Sequence, residues 1–471
     1  MGEGQIFMGG TTEPTTETPP VVVSGPSFLD SIDWGSKLAV QDVKVYFATA
    51  GEVFDGKMSV GWNGYEVQQA MLAFQQFANI ADLRFTITTD AADADLKLVN
   101  KEKAAYLGYF NPPGTREAGV GVFNHTGTGW DYDQPGTGGL EQGGYGFISL
   151  IHEFGHAMGL AHPHDRGGSS TIWQGVTASK GSFGSFDLNQ GIYSTMSYND
   201  GWQTMPGPNN TDNAFGWQGT MMGFDIALLQ QKYGANSHFA AGNDSYVLAD
   251  ANQSGSFFAC LWDSGGTDAI TYTGSRRATI DLRAATLAYD AGSGGYISNA
   301  RGVFGGFTIA AGVVIENASG GSGDDALIGN AVDNALSGNG GRDVILGMDG
   351  ADLMSGGAGA DRLTGGVGGD QFIYAALSDS GPIHSRFDTI TDFDSQDVLN
   401  LSQIDAKLSF SANDAFVWIN HAGFHAVEGE LRWRAAPAGV MVLADWNGDG
   451  KADFKVMLEG VSTLSEADFA L

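Results

Sequence analysis

Three histidines and a glutamate fall within one short stretch of this chain, Ile151-His-Glu-Phe-Gly-His-Ala-Met-Gly-Leu-Ala-His-Pro163. His152 and His156 are four residues apart, so on a helix both imidazoles leave the same face, about one turn apart. Two neutral imidazoles at that spacing suit a tetrahedral Zn²⁺. Gly159 stands where such a helix should stop, because glycine adopts the left-handed conformation that ends it. The chain then turns back and can bring His162 in as a third ligand, with Pro163 blocking further regular hydrogen bonding. Three histidines leave a fourth position open for water, which distinguishes a catalytic from a structural zinc. Glu153 lies beside that position, suited to take a proton from the water and return it to a leaving group. His164 follows Pro163, but three histidines already complete the set.

The elements that must hold this stretch can be read upstream of it. Val43–Phe47 alternates as a strand does, and residues 65–78 carry Val67, Met71, Phe74 and Phe77 at helical spacing. Residues 83–88, 94–99 and 119–123 read as further strands, the last before the zinc helix. A strand between about 105 and 124 is expected to lie exposed along a cleft, where an extended peptide can add to it. Residues 224–233 read as a helix stopped by Gly234.

A second motif, Tyr193-Ser-Thr-Met-Ser-Tyr198, follows a few dozen residues after the histidines. With it the chain resembles the metzincin peptidases, and the proline after the third histidine resembles the serralysins among them. The resemblance implies that Met196 forms a tight turn beneath the zinc histidines. It also implies that Tyr198 is an additional, movable zinc ligand, and as a phenol near the metal it can donate to an oxyanion.

From Gly320 the chain repeats with a period of nine through Ile373. This is the glycine- and aspartate-rich nonapeptide of the calcium-binding RTX repeats. The sixth position carries Asp325, Asn334, Asp343, Asp352, Asp361 and Asp370; the eighth carries Leu327, Leu336, Ile345, Met354, Leu363 and Phe372. Calcium ligands are expected from turn carbonyls at the first and third positions together with the sixth-position carboxylates. These are Gly320, Ser322 and Asp325; Gly338, Gly340 and Asp343; Gly347, Asp349 and Asp352; Gly356, Ala358 and Asp361; and Gly365, Val367 and Asp370. The second unit lacks glycine at its second and fourth positions and has Asn334 for aspartate, so it is not counted among them. Asp263-Ser-Gly-Gly-Thr-Asp268 resembles a calcium loop that serralysins place between domains. Asp445–Asp453 spaces its oxygens like half of an EF-hand loop, without the closing glutamate. Asp388, Asp392, Asp394 and Asp397 form a looser cluster.

Composition bounds the rest. A net charge of −31 over 471 residues argues against nucleic acid and anionic membranes as partners. The one cysteine, Cys260, allows no intramolecular disulfide, and bound calcium is the device that would replace one outside the cell. The N-terminus has neither the basic nor the apolar region of a Sec-type signal, and residues 1–27 read as a flexible tail or propeptide. The ending Glu466-Ala-Asp-Phe-Ala-Leu471 looks like that of proteins leaving Gram-negative cells through a type I ABC exporter.

The expected architecture is therefore an α+β metzincin catalytic domain over residues 28–244. An all-β domain over 245–471 is expected to follow, with a parallel β-roll and a β-sandwich-like C-terminal part. The resemblance implies a secreted, monomeric zinc endopeptidase with one zinc and several calcium ions. Its partners would be protein or peptide substrates, the exporter and a small protein inhibitor. A catalytically inactive RTX surface or matrix-binding protein is the alternative, and a polysaccharide-modifying RTX enzyme a third reading.

Overall fold

The three-histidine stretch is held between a five-stranded sheet and two further helices. The computed structural model describes residues 27–383, 386–407 and 413–471; the expected tail lies outside them apart from its last residue. In the N-terminal half the strands are β1 (Asp42–Phe47), β2 (Arg84–Ile87), β3 (Leu96–Lys101), β4 (Gly108–Phe110) and β5 (Val120–Asn124). Their order across the sheet is β2-β1-β3-β5-β4. All neighbours are parallel except β4, which runs antiparallel to β5 through the pair Tyr109↔Val122. β4 is thus an edge strand with one side of its backbone unpaired, at the place where a cleft strand was expected.

Helix α1 (Gly64–Ile80) begins with a reciprocal cap: Asn63 Oδ1 accepts from Glu66 N, and Glu66 Oε2 accepts from Asn63 N. Its apolar face buries Ala70, Ala73, Phe74 and Phe77 completely. Helix α2 (Tyr145–Ala157) carries His152, Glu153 and His156. The Phe74 ring of α1 stacks on Phe154 of α2 with centroids 3.7 Å apart, and Phe123 of β5 meets the same ring edge-on at 5.7 Å, which fixes α2 against α1 and the sheet. Gly159 follows the helix at φ +87°, and a Cβ there would lie 2.0 Å from Ser36 O. Both the dihedral and the contact demand glycine. Helix α3 (Gly223–Tyr233) closes this half.

The C-terminal half is built on two large sheets of eight and ten strands. Successive nonapeptides enter them alternately: residues 326–328, 344–349 and 362–367 join the ten-stranded sheet, and 335–337, 353–355 and 371–373 the eight-stranded one. Within each sheet the neighbours are parallel and 18 residues apart, as in Leu327↔Ile345 and Leu336↔Met354. All six eighth-position side chains are buried between the sheets. The parallel ladder extends beyond the repeats, backward to 245–247, 269–271 and 317–319 and forward to 388–390 and 398–400. The expected β-sandwich-like C-terminal part differs in form: its strands continue these same sheets rather than making a pair of their own. Residues 454–459, 439–445 and 430–436 extend the ten-stranded sheet as an antiparallel meander, and 469–470 ends the eight-stranded one.

One apolar cluster runs through both halves. Phe28 stacks on Trp173 on one side and on Tyr289 of the C-terminal half on the other, at 4.6 and 5.3 Å. No helix among the described residues is long and apolar enough to cross a membrane.

Candidate metal centre and active site

His152 and His156 project from the same face of α2, and the turn at Gly159 returns the chain so that His162 meets them. The Nε2 atom of His162 lies 3.2 Å from that of His152 and 2.9 Å from that of His156. Nitrogens bonded tetrahedrally to one zinc lie about 3.3 Å apart, given Zn–N bonds of about 2.0–2.1 Å. The three rings therefore already converge on a volume of zinc size. Each ring's other nitrogen is committed: Nδ1–H donates to Thr195 O (2.7 Å) in His152, to Leu160 O (3.0 Å) in His156 and to Asp165 Oδ2 (2.8 Å) in His162. These bonds fix the tautomer that leaves every Nε2 lone pair facing the centre. Burial pushes His152 and His156 down to about 3 and His162 to about 4, so all three are neutral ligands at physiological pH. The donor set fits zinc.

Glu153 is buried beside this centre, and its Oε2 has no hydrogen-bond partner among the described residues. With no cation beside it, burial pushes its pKa up to about 8, against a smaller opposing effect of the Phe110 N–H; a Zn²⁺ held by the histidines would lower it toward the ionised form that a general base needs. The edge strand β4 runs directly over it: a Cβ on Gly108 would stand 2.8 Å from Glu153 Cγ. Glycine at 108 thus lets an unpaired strand edge approach the carboxylate.

The turn at Ser194–Ser197 lies beneath the histidines. Met196 is fully buried, with its sulfur 2.6 Å from where a Cβ on Gly155 of α2 would be. Tyr198 stands above, one-third exposed, its ring 4.7 Å from His162, 5.6 Å from His152 and 4.5 Å from His164. Burial first, and then the charge of Glu153, pushes its phenol up to about 12, so it is a proton donor at neutral pH. His164 stacks on His162 and leans on Tyr198 outside the converging set. His421 and His425 occupy a loop far along the chain, where His425 pairs with Glu430.

The spacing argument missed the groups that hold this arrangement. Asp225, three residues into α3 and fully buried, accepts from Ser194 Oγ (2.7 Å), Thr195 N (2.6 Å), Thr195 Oγ1 (2.8 Å) and Met222 N (3.1 Å). Through Thr195 O it therefore orients His152. An aspartate inside the apolar run Phe224-Asp-Ile-Ala-Leu-Leu229 was the available signal. Asp225→Ala strands two backbone amides and two hydroxyls, and is expected to cost about 3 kcal/mol of stability and to weaken zinc binding about 10- to 100-fold. Competition with a zinc chelator and thermal denaturation measure the two effects. Unchanged zinc affinity would remove Asp225 from this role.

The repeats arrange their oxygens as regularly. The Asp325 N–H donates to Asp343 Oδ1 and the Asp343 N–H to Asp361 Oδ1; Asn334, Asp352 and Asp370 make the equivalent chain on the other side. Each chain ends on a residue 27 positions on, Asp388 or Asp397, from the looser cluster. Using Oδ1 in this way leaves Oδ2 of Asp343, Asp352 and Asp361 buried with no hydrogen-bond partner among the described residues. Burial, then neighbouring carboxylates, push Asp343 up to about 8 and Asp352 to about 7; Asp361 also rises to about 7. A Cβ on the first-position glycine, at 320, 338, 347, 356 or 365, would sit 2.1–2.6 Å from the sixth-position carboxylate of its own unit. Orphaned oxygens in a cradle that a side chain would fill are suited to a hard cation. The third positions, Ser322, Asp349, Ala358 and Val367, lie exposed at the rim, with Gly340 half-buried. Asn334 is satisfied internally, its amide donating to Glu316 O and Asn330 Oδ1.

Asp263 and Asp268 come together with Asp244, which the spacing did not point to, and Asp268 Oδ2 is buried with no hydrogen-bond partner among the described residues. The Asp445–Asp453 loop uses its carboxylates on itself: Asp445 accepts from Gly448 N and Gly450 N, and Asp453 from Trp446 N and Asn447 N.

Comparison with known proteins places these observations in a wider set. The family described as Peptidase M10 serralysin C terminal matches residues 227–471. Metallopeptidase AprA of Pseudomonas marginalis is 34% identical over 434 residues, covering 86% of this chain and 80% of the relative. Metalloprotease AprA of Pseudomonas entomophila is 34% identical over 429 residues, covering 84% and 78%. Serralysin G of Dickeya chrysanthemi is 31% identical over 464 residues, covering 92% and 86%.

Proposed function

The chain belongs to the serralysin family and is a zinc metalloendopeptidase, and from that premise we propose that His152, His156 and His162 hold the zinc while Glu153 is the general base of peptide hydrolysis. The observation that carries this reading is the unpartnered Glu153 Oε2 beside three converging Nε2 atoms, beneath an open strand edge. Zinc, when bound there, supplies a Lewis acid that acidifies water and polarises the scissile carbonyl.

The chain's own groups do the remainder. An extended substrate pairs with the free edge of β4, which brings its carbonyl over Glu153. Glu153 takes a proton as the water oxygen bonds to the carbonyl carbon. The protonated Tyr198 donates a hydrogen bond to the resulting oxyanion, and with zinc bound it would also be the movable extra ligand. Glu153 then gives its proton to the amide nitrogen, and the C–N bond breaks to release an amine and a carboxylic acid, whose proton passes to the amine or to solvent. Met196 underlies α2 at Gly155, and Gly159 turns the chain toward His162.

The domain reading fits the same scheme. Residues 28–244 act as a metzincin catalytic domain and 245–471 as a calcium-binding RTX β-roll domain, with residues 1–27 a flexible tail or propeptide. Calcium sits against the sixth-position carboxylates and at Asp263 and Asp268. The protein acts outside the cell as a monomer on protein substrates, leaves by a type I exporter and meets a small protein inhibitor there. Zinc removal tests the centre: a chelator should abolish casein hydrolysis, and one equivalent of zinc per chain should restore it. Restoration requiring two equivalents, or none, would overturn the one-zinc assignment.

A further inference from the structure

Beside His152 the cleft deepens into a pocket of about 390 Å³. Its walls are apolar or aromatic, from Tyr106, Leu107, Tyr145 and Ile148, and Glu153 also lines it. Asp200, two residues beyond Tyr198, contributes a second carboxylate to the wall. Tyr145 Oη donates to Asp200 Oδ2 at 3.1 Å, and Oδ1 has no partner among the described residues. The only other charged side chain lining the pocket is Lys180, which is exposed at the rim and whose positive charge is felt at Asp200 without a direct ion pair among the described residues. Asp200 is half-buried with a single neutral side-chain donor on it, so its Oδ1 is open to pair with a cation delivered into the pocket.

We propose that Asp200 selects substrates with a lysine or arginine side chain at the position entering this pocket, an inference that rests on the peptidase reading above. The apolar walls cover the methylene stem, and the charged head reaches Asp200 Oδ1. An uncharged side chain of the same length would desolvate Asp200 without pairing it, and an acidic one would face both Asp200 and Glu153. The net charge of −31 draws basic segments toward the molecule before any of these contacts form.

The test uses the zinc-loaded full chain and peptides that differ only at one residue, lysine, norleucine or glutamate, placed in turn on each side of the scissile bond. At one position kcat/KM for lysine should exceed that for norleucine by about tenfold or more, with glutamate poorest. Asp200→Asn should bring the lysine-to-norleucine ratio toward one, and Asp200→Glu should retain a preference for lysine. Lys180→Glu changes an exposed rim residue and should raise the lysine-to-glutamate ratio, which keeps the idea testable if Asp200→Asn fails to fold. A ratio near one in the parent at every position, or one unmoved in folded Asp200→Asn, overturns the role of Asp200 alone. A zinc-loaded parent that cleaves none of the peptides, nor casein, overturns the peptidase reading with it.

Discussion

Glu153→Gln is expected to lower kcat/KM on peptide substrates by about 10²- to 10⁴-fold, the usual worth of a positioned general base, with zinc content unchanged. Glutamine keeps the shape of the side chain and can still accept from the Phe110 N–H, but it cannot take up a proton. The substitution leaves His152, His156 and His162 with their own Nδ1 partners, Thr195 O, Leu160 O and Asp165, so nothing in the ligand set is lost. It also removes a buried carboxyl with one oxygen that has no hydrogen-bond partner among the described residues. The variant should therefore unfold at the same temperature as the parent or higher. Losing activity while keeping or gaining stability is a signature that a merely structural residue does not give. Zinc analysis, calorimetry and initial rates on one peptide decide it; a variant within tenfold of the parent, or one that loses zinc, would remove Glu153 from the chemistry.

The second large effect is expected from calcium. Asp343, Asp352 and Asp361 are deeply buried, and each has one oxygen with no partner among the described residues. A site binding calcium at a thousandfold excess over its Kd adds about 4 kcal/mol, so three such sites match the whole stability of many domains, about 5–15 kcal/mol. Stripping calcium should therefore unfold the repeat region, and returning it should refold it. The pH dependence follows from the same groups. Without the cation their folded pKa values, about 7 to 8, exceed the unfolded value of 3.8. The folded state then holds protons more tightly, so cation-free stability falls as pH rises from about 4 to about 8. Calcium requires the deprotonated form, so its affinity should rise over the upper part of that range and its binding should release protons near neutral pH. Circular dichroism in chelator at pH 5 and 8.5, with calcium titrations in weak buffer, reads each sign. A repeat region equally structured with and without calcium at pH 8.5 would refute the assignment.

The sequence made the reactive groups legible because they come from two short local motifs. His152, Glu153 and His156 share a helix face by spacing alone, and a glycine followed by a returning histidine predicts the third ligand. What spacing could not reach is everything the site borrows from elsewhere. Thr195 O and Leu160 O are backbone atoms, which any residue type would offer. Asp225 reaches the site only because α3 packs behind the turn, and Gly108 matters only because β4 crosses Glu153. In the second half the nine-residue period announced the coil and its buried eighth position. The ladder outside the repeats was hidden for a different reason. Parallel pairing needs register, whereas the glycines and aspartates mark turns, so strands at 269–271 and 317–319 pair without carrying the motif. At the far end, nine extra residues change the 18-residue step to 27 and conceal Asp388 and Asp397 as members of the same series.

That series has a direction. Each aspartate N–H donates to a carboxylate supplied by the next coil, two nonapeptides on within the repeats, from Asp325 through Asp343 and Asp361 to Asp388. A coil added at the C-terminal side therefore arrives with the acceptor its predecessor needs, and the reverse does not hold. The column is polar in the way a zipper is: closing it from residue 388 backward satisfies an amide at every step, whereas closing it from residue 325 forward leaves the newest one waiting. Damage at Asp388 would thus open the column from its C-terminal end toward Asp325, while damage at Asp325 would leave the later coils closed.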